Sequence, residues 1–447
     1  MENWRFWSKI DVMVEEKKEY FSIKGLSGKK TLSGEIPVRG SKNAVLPLLA
    51  SCYLFSDSFT LKNIPDISDV RVMKEIIEET GVSTQENGKR EFLLNPKNLK
   101  NGDLRNTSAK KLRASVILSG PILARFGEIK LPHPGGCVIG ARPIDFFIEG
   151  FKKMGAKTKN TSNYYHIKAP DGELKGAKIF FKIPSVTATE TFMMAGVLAK
   201  GKTTLKNAAM EPEIIHLAEF LKKYGAKIKG EGTPTIEITG GKKLKAEGNI
   251  HQTLPDRLEA GSFLILGALA ADNLEIKKCK PQDLEIVIEI LKEMGVPLET
   301  EKDKIIIKNN ANQRTSSWKT IDIKTHEYPG FPTDLQPPMT VLLTQVLGEA
   351  LVFETIFENR LNWTEGLARM GADITMCDPH RVIVKGPTPL KAKVLEGPDI
   401  RAGLAFLIAA VVANGNSVIN NIHYIDRGYE KVEDRLKNIG LNIDRNG

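Results

Sequence analysis

A repeat of roughly 70 residues is the feature that most constrains how this chain can fold. Six times, a helical stretch ends in a glycine, and successive glycines lie 69 to 76 residues apart: Gly81, Gly155, Gly225, Gly295, Gly371 and Gly440. Glycine is typical of a helix end because it adopts the left-handed conformation without strain. The spacing therefore predicts six copies of one supersecondary unit.

Each unit repeats the same order of elements. A short leading strand comes first. It is followed by a helix that is apolar nearly all round, such as TFMMAGVLAK or RAGLAFLIAAVVANG, and then by a second short strand such as KTTLKNA. A helix with one polar face follows, and then another alternating segment. An all-apolar helix is typical of a buried position, whereas the second helix has a face for solvent. The pattern predicts an α/β fold of β-α-β-α-β units with helices packed inside sheets.

The number and length of the units indicate two domains. Units of this size are too long for a solenoid, whose repeats span about 20–45 residues, and 447 residues exceed one ordinary domain. A turn-rich segment, GGKKLKAEGNIHQ, follows the third unit. We expect one domain of residues 41–253 and another of residues 1–40 and 254–447, with the early strand LSGEIPVRG completing the C-terminal half.

Composition limits the class of protein further. Residues 1–20 carry charges throughout and lack the apolar region of a signal peptide. The four cysteines have no CxxC spacing, which argues against a zinc site and a disulfide framework and favours a cytoplasmic location. A net charge of +10 suits an anionic partner. Without an arginine-rich tract or RNA-binding aromatic motif, it favours a small anionic substrate over nucleic acid or a membrane.

Basic residues recur where the first turns of helices are expected. A helix N-terminus carries partial positive charge, so a cation there is disfavoured by about 0.3–1 kcal/mol. An anion bound by the cations and the exposed N–H groups would offset that cost. Pairing of each cation with a neighbouring aspartate, such as Asp426, is the alternative. We expect an anion-binding cleft formed by Lys42, Arg113, Arg142, Arg257, Arg401 and Arg427.

Carboxylates occupy similar positions and have two possible roles. Glu211, Asp256, Asp399 and Asp334 each stand near a predicted helix start, where an acidic residue is commonly an N-cap. Opposite a cationic cleft, such a group stays ionised and can act as a base. Asp334 is the best candidate base, because its loop YPGFPTDLQPP is rich in proline and glycine.

One cysteine has an unusual setting. Cys137 lies in LPHPGGCVIGARP, where Pro-Gly-Gly predicts a mobile turn and Arg142 is the kind of neighbour that lowers a thiol pKa. The alternative is a small apolar side chain buried under a loop.

Several segments together resemble one known family. GSKNAVLP, RASVILSGPILARFG, PGGCVIGARPID, LPDRLEAGSF, FPTDLQ, ENR, DIRAG and HYIDRGYE occur in order across residues 30–447. They resemble the UDP-N-acetylglucosamine 1-carboxyvinyltransferases of the enolpyruvyl transferase family. The resemblance implies a two-domain inside-out α/β barrel with three units per domain. It also implies transfer of the enolpyruvyl group of phosphoenolpyruvate to the 3′-hydroxyl of UDP-N-acetylglucosamine, without a metal or organic cofactor.

The resemblance also implies roles for individual residues. Cys137, in a lid of residues 133–143, would be the general acid, and Asp334 would bind the sugar 3′-hydroxyl. Phosphoenolpyruvate would contact Lys42, Asn43, Arg142, Arg401 and Arg427. UDP-N-acetylglucosamine would contact Asn43, Arg113, Arg142, Pro143, Ile144, Asp145, Phe146, Ser185, Val186, Thr187, Asp334 and Ile356. Glu211, Asp256 and Asp399 would be supporting polar groups.

Four positions depart from the family pattern: Ser68, the Phe146–Phe147 pair, Thr187 and Pro338. None of them removes a predicted catalytic group, so an active enzyme is expected. Two alternatives remain open at this point. One is an impaired or regulatory paralogue, and the other is the sister enzyme that acts on shikimate 3-phosphate.

Overall fold

A computed structural model describes residues 19–133, 144–309 and 315–447. The α-helices in these ranges are α1 (Lys42–Ala50), α2 (Ser68–Glu79), α3 (Ser119–Phe126), α4 (Asp145–Lys153), α5 (Val186–Leu198), α6 (Pro212–Lys223), α7 (Arg257–Ala270), α8 (Glu285–Met294), α9 (Gln336–Leu343), α10 (Thr364–Arg369), α11 (Ile400–Val412) and α12 (Val432–Lys437). None of them combines the length and the apolar character needed to cross a bilayer.

The strands in the same ranges are short and numerous. They are β1 (Tyr20–Lys24), β2 (Leu32–Pro37), β3 (Phe59–Lys62), β4 (Ser83–Glu86), β5 (Glu91–Asn95), β6 (Glu128–Pro132), β7 (Lys157–Asn160), β8 (Tyr164–Lys168), β9 (Lys178–Phe180), β10 (Lys202–Lys206), β11 (Lys227–Lys229), β12 (Thr235–Thr239), β13 (Ile250–Gln252), β14 (Ala271–Lys277), β15 (Leu298–Thr300), β16 (Lys304–Lys308), β17 (Ile323–Lys324), β18 (Gly348–Phe353), β19 (Asp373–Asp378), β20 (Arg381–Gly386), β21 (Val394–Glu396), β22 (Asn416–Asn420) and β23 (Ile443–Asn446).

The helices alternate between two kinds, as the repeat predicts. The odd-numbered helices are largely apolar and contribute most of the buried helical residues; every residue of α7 is buried. The even-numbered helices have one exposed face. Each even-numbered helix is followed by one of the six repeat glycines, with φ between 89° and 107° in every case. A side chain is strained in that left-handed region, which explains why glycine recurs there.

Within the described residues, six small sheets pack against the buried helices, one for each repeat unit. Their strand orders are β13-β3-β5-β4, β6-β8-β7 and β11-β12-β10-β9 in the first half, and β15-β16-β14-β2, β17-β18-β20-β19 and β21-β22-β1-β23 in the second. Side chains along β20 alternate between buried and exposed, so one sheet face meets the helices and the other meets solvent. The predicted α/β fold of six units is thus confirmed.

Each unit contains a detail that the repeat did not predict. The second helix is generally followed by two antiparallel strands, as with β11 and β12 after α6, where one strand was expected. In the second unit, an isolated parallel bridge between Asp103 and Lys130 takes the place of a leading strand. In the sixth unit, the N-terminal strand β1 supplies the second strand of the pair, hydrogen-bonded to β23.

The chain passes twice between the two groups of sheets. Strand β2 pairs in parallel with β14 of the second half, and β13 pairs in parallel with β3 of the first half. Two hydrophobic clusters follow the same division: one contains residues from 45 to 246, and the other contains residues from 21 to 38 and from 258 to 443. An antiparallel bridge between Gly40 and Pro255 joins the two passages.

Candidate active site

Three of the predicted cations begin helices. Helix α1 starts at Lys42, α7 starts at Arg257, and Arg401 is the second residue of α11. Asp256 caps α7 by accepting hydrogen bonds from two backbone N–H groups, and Asp399 caps α11 in the same way. Both carboxylates therefore serve as N-caps, the structural role considered for them.

Of the remaining cations, Arg113 lies at a helix start and Arg427 does not. Arg113 begins a short 3₁₀ helix (Arg113–Leu118) that leads into α3. Arg427 is the last residue of another 3₁₀ helix (Ile422–Arg427), so its predicted position at a helix start is wrong. At a C-terminus the helix dipole favours a cation. Arg142 lies outside the described residues.

Asp69 joins two of these cations across the halves of the molecule. Its carboxylate accepts a hydrogen bond from Arg427 Nε at 2.8 Å and lies 3.4 Å from Lys42 Nζ. Burial raises the pKa of Asp69, but Lys42 and Arg427 outweigh that effect and lower it overall. Burial also lowers the pKa of Lys42, and Arg401 and Arg427 lower it further, although Asp69 opposes this change.

Asp334 joins a second pair of cations. It lies in a short 3₁₀ helix (Thr333–Leu335) before α9, and its two oxygens accept hydrogen bonds from Arg360 at 3.0 Å and Arg401 at 2.9 Å. The two arginine side chains are only 2% and 5% exposed, whereas Asp334 is 26% exposed. Burial raises the pKa of Asp334, but Arg401 and Arg360 hold it well below its usual range.

A buried tyrosine fixes Arg401 from its other side. Tyr429 Oη accepts a hydrogen bond from Arg401 at 2.8 Å and lies 3.1 Å from the Ser262 hydroxyl. Arg401 thus has one edge directed to Asp334 and another to Tyr429. Such a fixed guanidinium is suited to binding a carboxylate or phosphate with little loss of side-chain entropy.

The two groups form one electrostatic cluster. Lys42 interacts with Arg401, Arg427 and Asp334 as well as with Asp69. Four cations (Lys42, Arg360, Arg401 and Arg427) lie around two carboxylates (Asp69 and Asp334). The Asp256 carboxylate is also close enough to interact with Arg401, so the cations outnumber the acidic groups by one. Concentrated, partly desolvated positive charge of this kind attracts a multiply charged anion.

Arg257 has a different role from the one the pattern suggests. Its guanidinium pairs with buried Glu213 of α6 at 3.2 Å and lies over the Tyr328 ring. Glu211, at the N-cap position of α6, makes no side-chain cap bond, and burial raises its carboxyl pKa. A cavity of about 310 Å³ is lined by Arg257, Asp283 and Tyr328 rather than by the charge cluster.

The predicted nucleotide-sugar contacts lie at helix starts. Ser185 caps α5 through its hydroxyl, and Val186 and Thr187 form the first turn of that helix. Ile144 precedes α4, whose first residues are Asp145 and Phe146. Helix N-termini are natural sites for phosphate groups. As ligand contacts these residues stay predictions.

Phe146 has a partly exposed ring, 37% exposed, that stacks on buried Phe147 with centroids 4.5 Å apart. Asn43 follows Lys42 in α1, and the Ile356 N–H donates to Glu354 beyond β18. The predicted acid Cys137, its lid neighbours and Pro143 lie outside the described residues. Their roles stay predictions as well.

Sequence reasoning left three members of the cluster without a role. Asp69 is the second residue of α2, Arg360 lies in the ENR segment, and Tyr429 lies in the IDRGYE segment. The last two are inside segments already noted for their resemblance to a family. Asp69 carried no such signal, because its partner Arg427 is 358 residues away along the chain.

Fold and site together define an α/β protein of six repeat units, with a cluster of cations where residues of its two halves meet. The family description "EPSP synthase (3-phosphoshikimate 1-carboxyvinyltransferase)" matches residues 26–436. A solved enolpyruvyl transferase, NikO from Streptomyces tendae, superposes with a TM-score of 0.85 at 21% identity, covering 96% of this chain and 99% of that one.

Relatives with higher identity narrow the assignment. UDP-N-acetylglucosamine 1-carboxyvinyltransferase 1 of Caldanaerobacter subterraneus is 41% identical over 415 residues, covering 93% of this chain and 97% of the relative. The UDP-N-acetylglucosamine 1-carboxyvinyltransferase of Solibacter usitatus is 41% identical over 420 residues, covering 94% and 98%. The chain therefore belongs to the EPSP synthase family and, within it, to the UDP-N-acetylglucosamine 1-carboxyvinyltransferases.

Proposed function

We propose that this protein transfers the enolpyruvyl group of phosphoenolpyruvate to the 3′-hydroxyl of UDP-N-acetylglucosamine and releases phosphate. The observation that carries the proposal is the charge cluster, in which four buried or half-buried cations converge where the two halves meet. Phosphoenolpyruvate brings a phosphate and a carboxylate, two anionic groups that such a cluster can bind. Relatives named for the same reaction cover almost the whole chain.

The cluster offers two places for the anionic groups of the donor. Lys42 and Arg427 converge on Asp69, and Arg401 and Arg360 converge on Asp334. We assign the phosphate to Lys42 and Arg427, together with Arg142, and the carboxylate to Arg401 and Lys42. Fixed cations that hold a departing phosphate stabilise the transition state without reorganising.

Asp334 would accept the proton of the sugar hydroxyl. Arg401 and Arg360 hold its pKa well below the usual range, so Asp334 is a weak base while it is paired with both arginines. A substrate carboxylate that binds Arg401 competes for the same guanidinium and partly neutralises it. The basicity of Asp334 then rises only when the donor is bound, which couples proton removal to a filled site.

Addition and elimination share the remaining groups. A proton adds to the methylene carbon of phosphoenolpyruvate as the sugar oxygen bonds to the adjacent carbon; Cys137 would supply that proton. Elimination then breaks the bond between the carbon that carries the sugar oxygen and the phosphate oxygen, and phosphate leaves. A proton is removed from the methyl group that the first step formed, which restores the carbon–carbon double bond. The nucleotide sugar would lie along the starts of α4 and α5, on Asp145, Ser185 and Thr187.

The cellular role follows from the product. We assign the protein to the first committed step of peptidoglycan synthesis, in the cytoplasm, and hence to cell-wall formation, cell shape and division. Residues 41–253 would form the domain that carries the cysteine lid, and residues 1–40 with 254–447 the other. The residues assigned above perform the chemistry without a metal or organic cofactor in this proposal.

Phosphate release from purified protein tests the proposal. Release should require both phosphoenolpyruvate and UDP-N-acetylglucosamine, and mass spectrometry should detect the enolpyruvyl sugar nucleotide. Shikimate 3-phosphate serves as the control acceptor, because the family description names that substrate. Release with shikimate 3-phosphate and not with UDP-N-acetylglucosamine would assign the sister reaction. If neither acceptor supported release, the protein would be a paralogue that lacks the transfer activity.

A further inference from the structure

An ion pair that includes none of the predicted catalytic residues joins the two halves of the molecule. Arg90 lies in the turn between β4 and β5, and its Nε donates to both carboxylate oxygens of Glu430 at 3.1 Å. A second guanidinium nitrogen bonds to the same carboxylate. The Glu430 side chain is 5% exposed and that of Arg90 is 29% exposed, so the pair is largely shielded from solvent.

Glu430 also contacts the first half through the backbone. It accepts a hydrogen bond from the Asp66 N–H at 2.9 Å, and Arg39 Nε lies 3.4 Å from its other oxygen. Burial raises the pKa of Glu430, but Arg90 and the Asp66 N–H outweigh that effect, so the group stays ionised. An ionised, bidentate pair is among the stronger contacts available to side chains.

The contacts of Glu430 bear directly on the anion cluster. Three residues before it, Arg427 donates to Asp69, which lies three residues after Asp66. The segment of residues 427–430 therefore contacts both ends of the segment of residues 66–69, which leads into α2. Between these two contacts, Tyr429 accepts from Arg401. Any movement of Glu430 away from the first half would displace Arg427 and Tyr429 as well.

We propose that Arg90 is a positioning residue for the anion site: by holding Glu430, it keeps residues 427–430 against residues 66–69 and so places Arg427 and Arg401. Arg90 touches no substrate in this arrangement and acts through Glu430. The inference rests on the proposed function only for the identity of the anion. The contact itself exists between the two halves whatever the reaction.

The test compares Arg90→Gln with Arg90→Lys and with the control Arg71→Gln. Arg71 makes an exposed ion pair with Asp66 in the same region, so its replacement removes the same charge without touching Glu430. Glutamine is chosen because, like arginine, it is unbranched at Cβ, so the left-handed φ of 64° at residue 90 strains the two side chains to a similar degree. Steady-state kinetics and small-angle X-ray scattering, with and without UDP-N-acetylglucosamine, are the two measurements.

For Arg90→Gln we expect KM for phosphoenolpyruvate to rise about tenfold with a smaller change in kcat, as loss of a charged hydrogen bond implies. The radius of gyration should increase both with and without UDP-N-acetylglucosamine, because a contact between the two halves is lost. The KM of Arg90→Lys should lie between those of the wild type and Arg90→Gln. The double variant Arg90→Gln/Glu430→Gln should have nearly the same KM as Arg90→Gln, because both substitutions remove the same contact. Kinetics and scattering equal to those of Arg71→Gln would overturn the inference.

The two proposals fail in different ways. If the wild-type protein released no phosphate, the proposed function would be lost, and the scattering comparison of Arg90→Gln with Arg71→Gln would still decide the role of Arg90. If the wild type were active and the two variants behaved alike, the transfer reaction would stand and Arg90 would be an ordinary surface residue. Thermal unfolding of each variant separates either result from a loss of folding.

Discussion

Replacement of Asp334 by asparagine should destabilise the protein and at the same time strengthen its binding of anions. The substitution keeps the shape of the side chain but leaves Arg360 and Arg401, 2% and 5% exposed, beside a neutral group. Removal of one partner from a buried ion pair costs about 3–5 kcal/mol. Because Asp334 is 26% exposed, we expect the lower end, about 3 kcal/mol.

The assay is thermal unfolding with and without inorganic phosphate. A loss of about 3 kcal/mol lowers the midpoint of a domain of this size by about 6–12 °C. Phosphate at about 10 mM should restore more of the midpoint in Asp334→Asn than it adds to the wild type, because a bound anion replaces the missing charge. The transfer reaction should be lost in the variant at every phosphate concentration.

The matched control is Asp399→Asn, which removes the same charge one residue from the start of α11. Asp399 accepts from two backbone N–H groups as an N-cap, and asparagine caps nearly as well. Its midpoint should stay close to that of the wild type. Equal midpoints for Asp334→Asn and Asp399→Asn, together with equal phosphate shifts, would refute the reasoning.

The pH dependence of the same comparison has a definite sign. The folded pKa of Asp334 lies below its unfolded value, which is about 3.9 for aspartate. Its contribution to stability is therefore complete above about pH 4 and is lost as the pH falls towards the folded pKa. The difference in midpoint between the wild type and Asp334→Asn should be constant from about pH 5 to 8 and shrink below about pH 4.

Three further outcomes are expected. Glu213→Gln leaves buried Arg257 without its anionic partner and should lower the free energy of unfolding by about 3–5 kcal/mol. Glu299→Gln removes an exposed ion pair with Lys308 and should lower it by less than about 1 kcal/mol. A phosphonate epoxide should alkylate Cys137, located by peptide mass spectrometry; an adduct on any other cysteine would contradict its role. Burial lowers the pKa of His216 to about 3, so the protein should lose stability as the pH is lowered from about 6.5 to about 4. In His216→Gln the unfolding midpoint should depend less on pH over this range.

The fold was largely predictable because its signals are local. A glycine after each amphipathic helix and an apolar helix before each strand are visible within one unit. The paired strands were predicted as one because the first of them is short and polar, as in Ser83–Glu86, which is largely exposed. Such an edge strand gains its structure from hydrogen bonds to its neighbour, and these leave little trace in a hydrophobic pattern.

The candidate site was predictable in its residue types and less so in its geometry. Basic residues at helix starts indicated an anion cleft, and Lys42 and Arg401 lie where that reasoning expected them. Arg427 is the last residue of a short 3₁₀ helix. The residue before that helix, Asn421, has a left-handed conformation and makes no side-chain cap bond, so the sequence does not mark where the helix starts. Arg257 has the same local sequence pattern as Arg401, but it pairs with Glu213 of another helix. Whether such an arginine joins the anion cluster or a separate ion pair depends on contacts between distant parts of the chain, which a local pattern does not contain.

The two passages of the chain between the halves have a consequence for engineering. The Ser41 N–H bonds to Leu254 and the Asp256 N–H bonds to Arg39, so the passages form a short two-stranded ribbon. At the other end of the second half, Tyr20 pairs with Asn446. A short linker between those two residues and a cut in the ribbon would yield a circularly permuted gene in which each half is encoded without interruption. The halves could then be produced separately and tested for reassembly around UDP-N-acetylglucosamine.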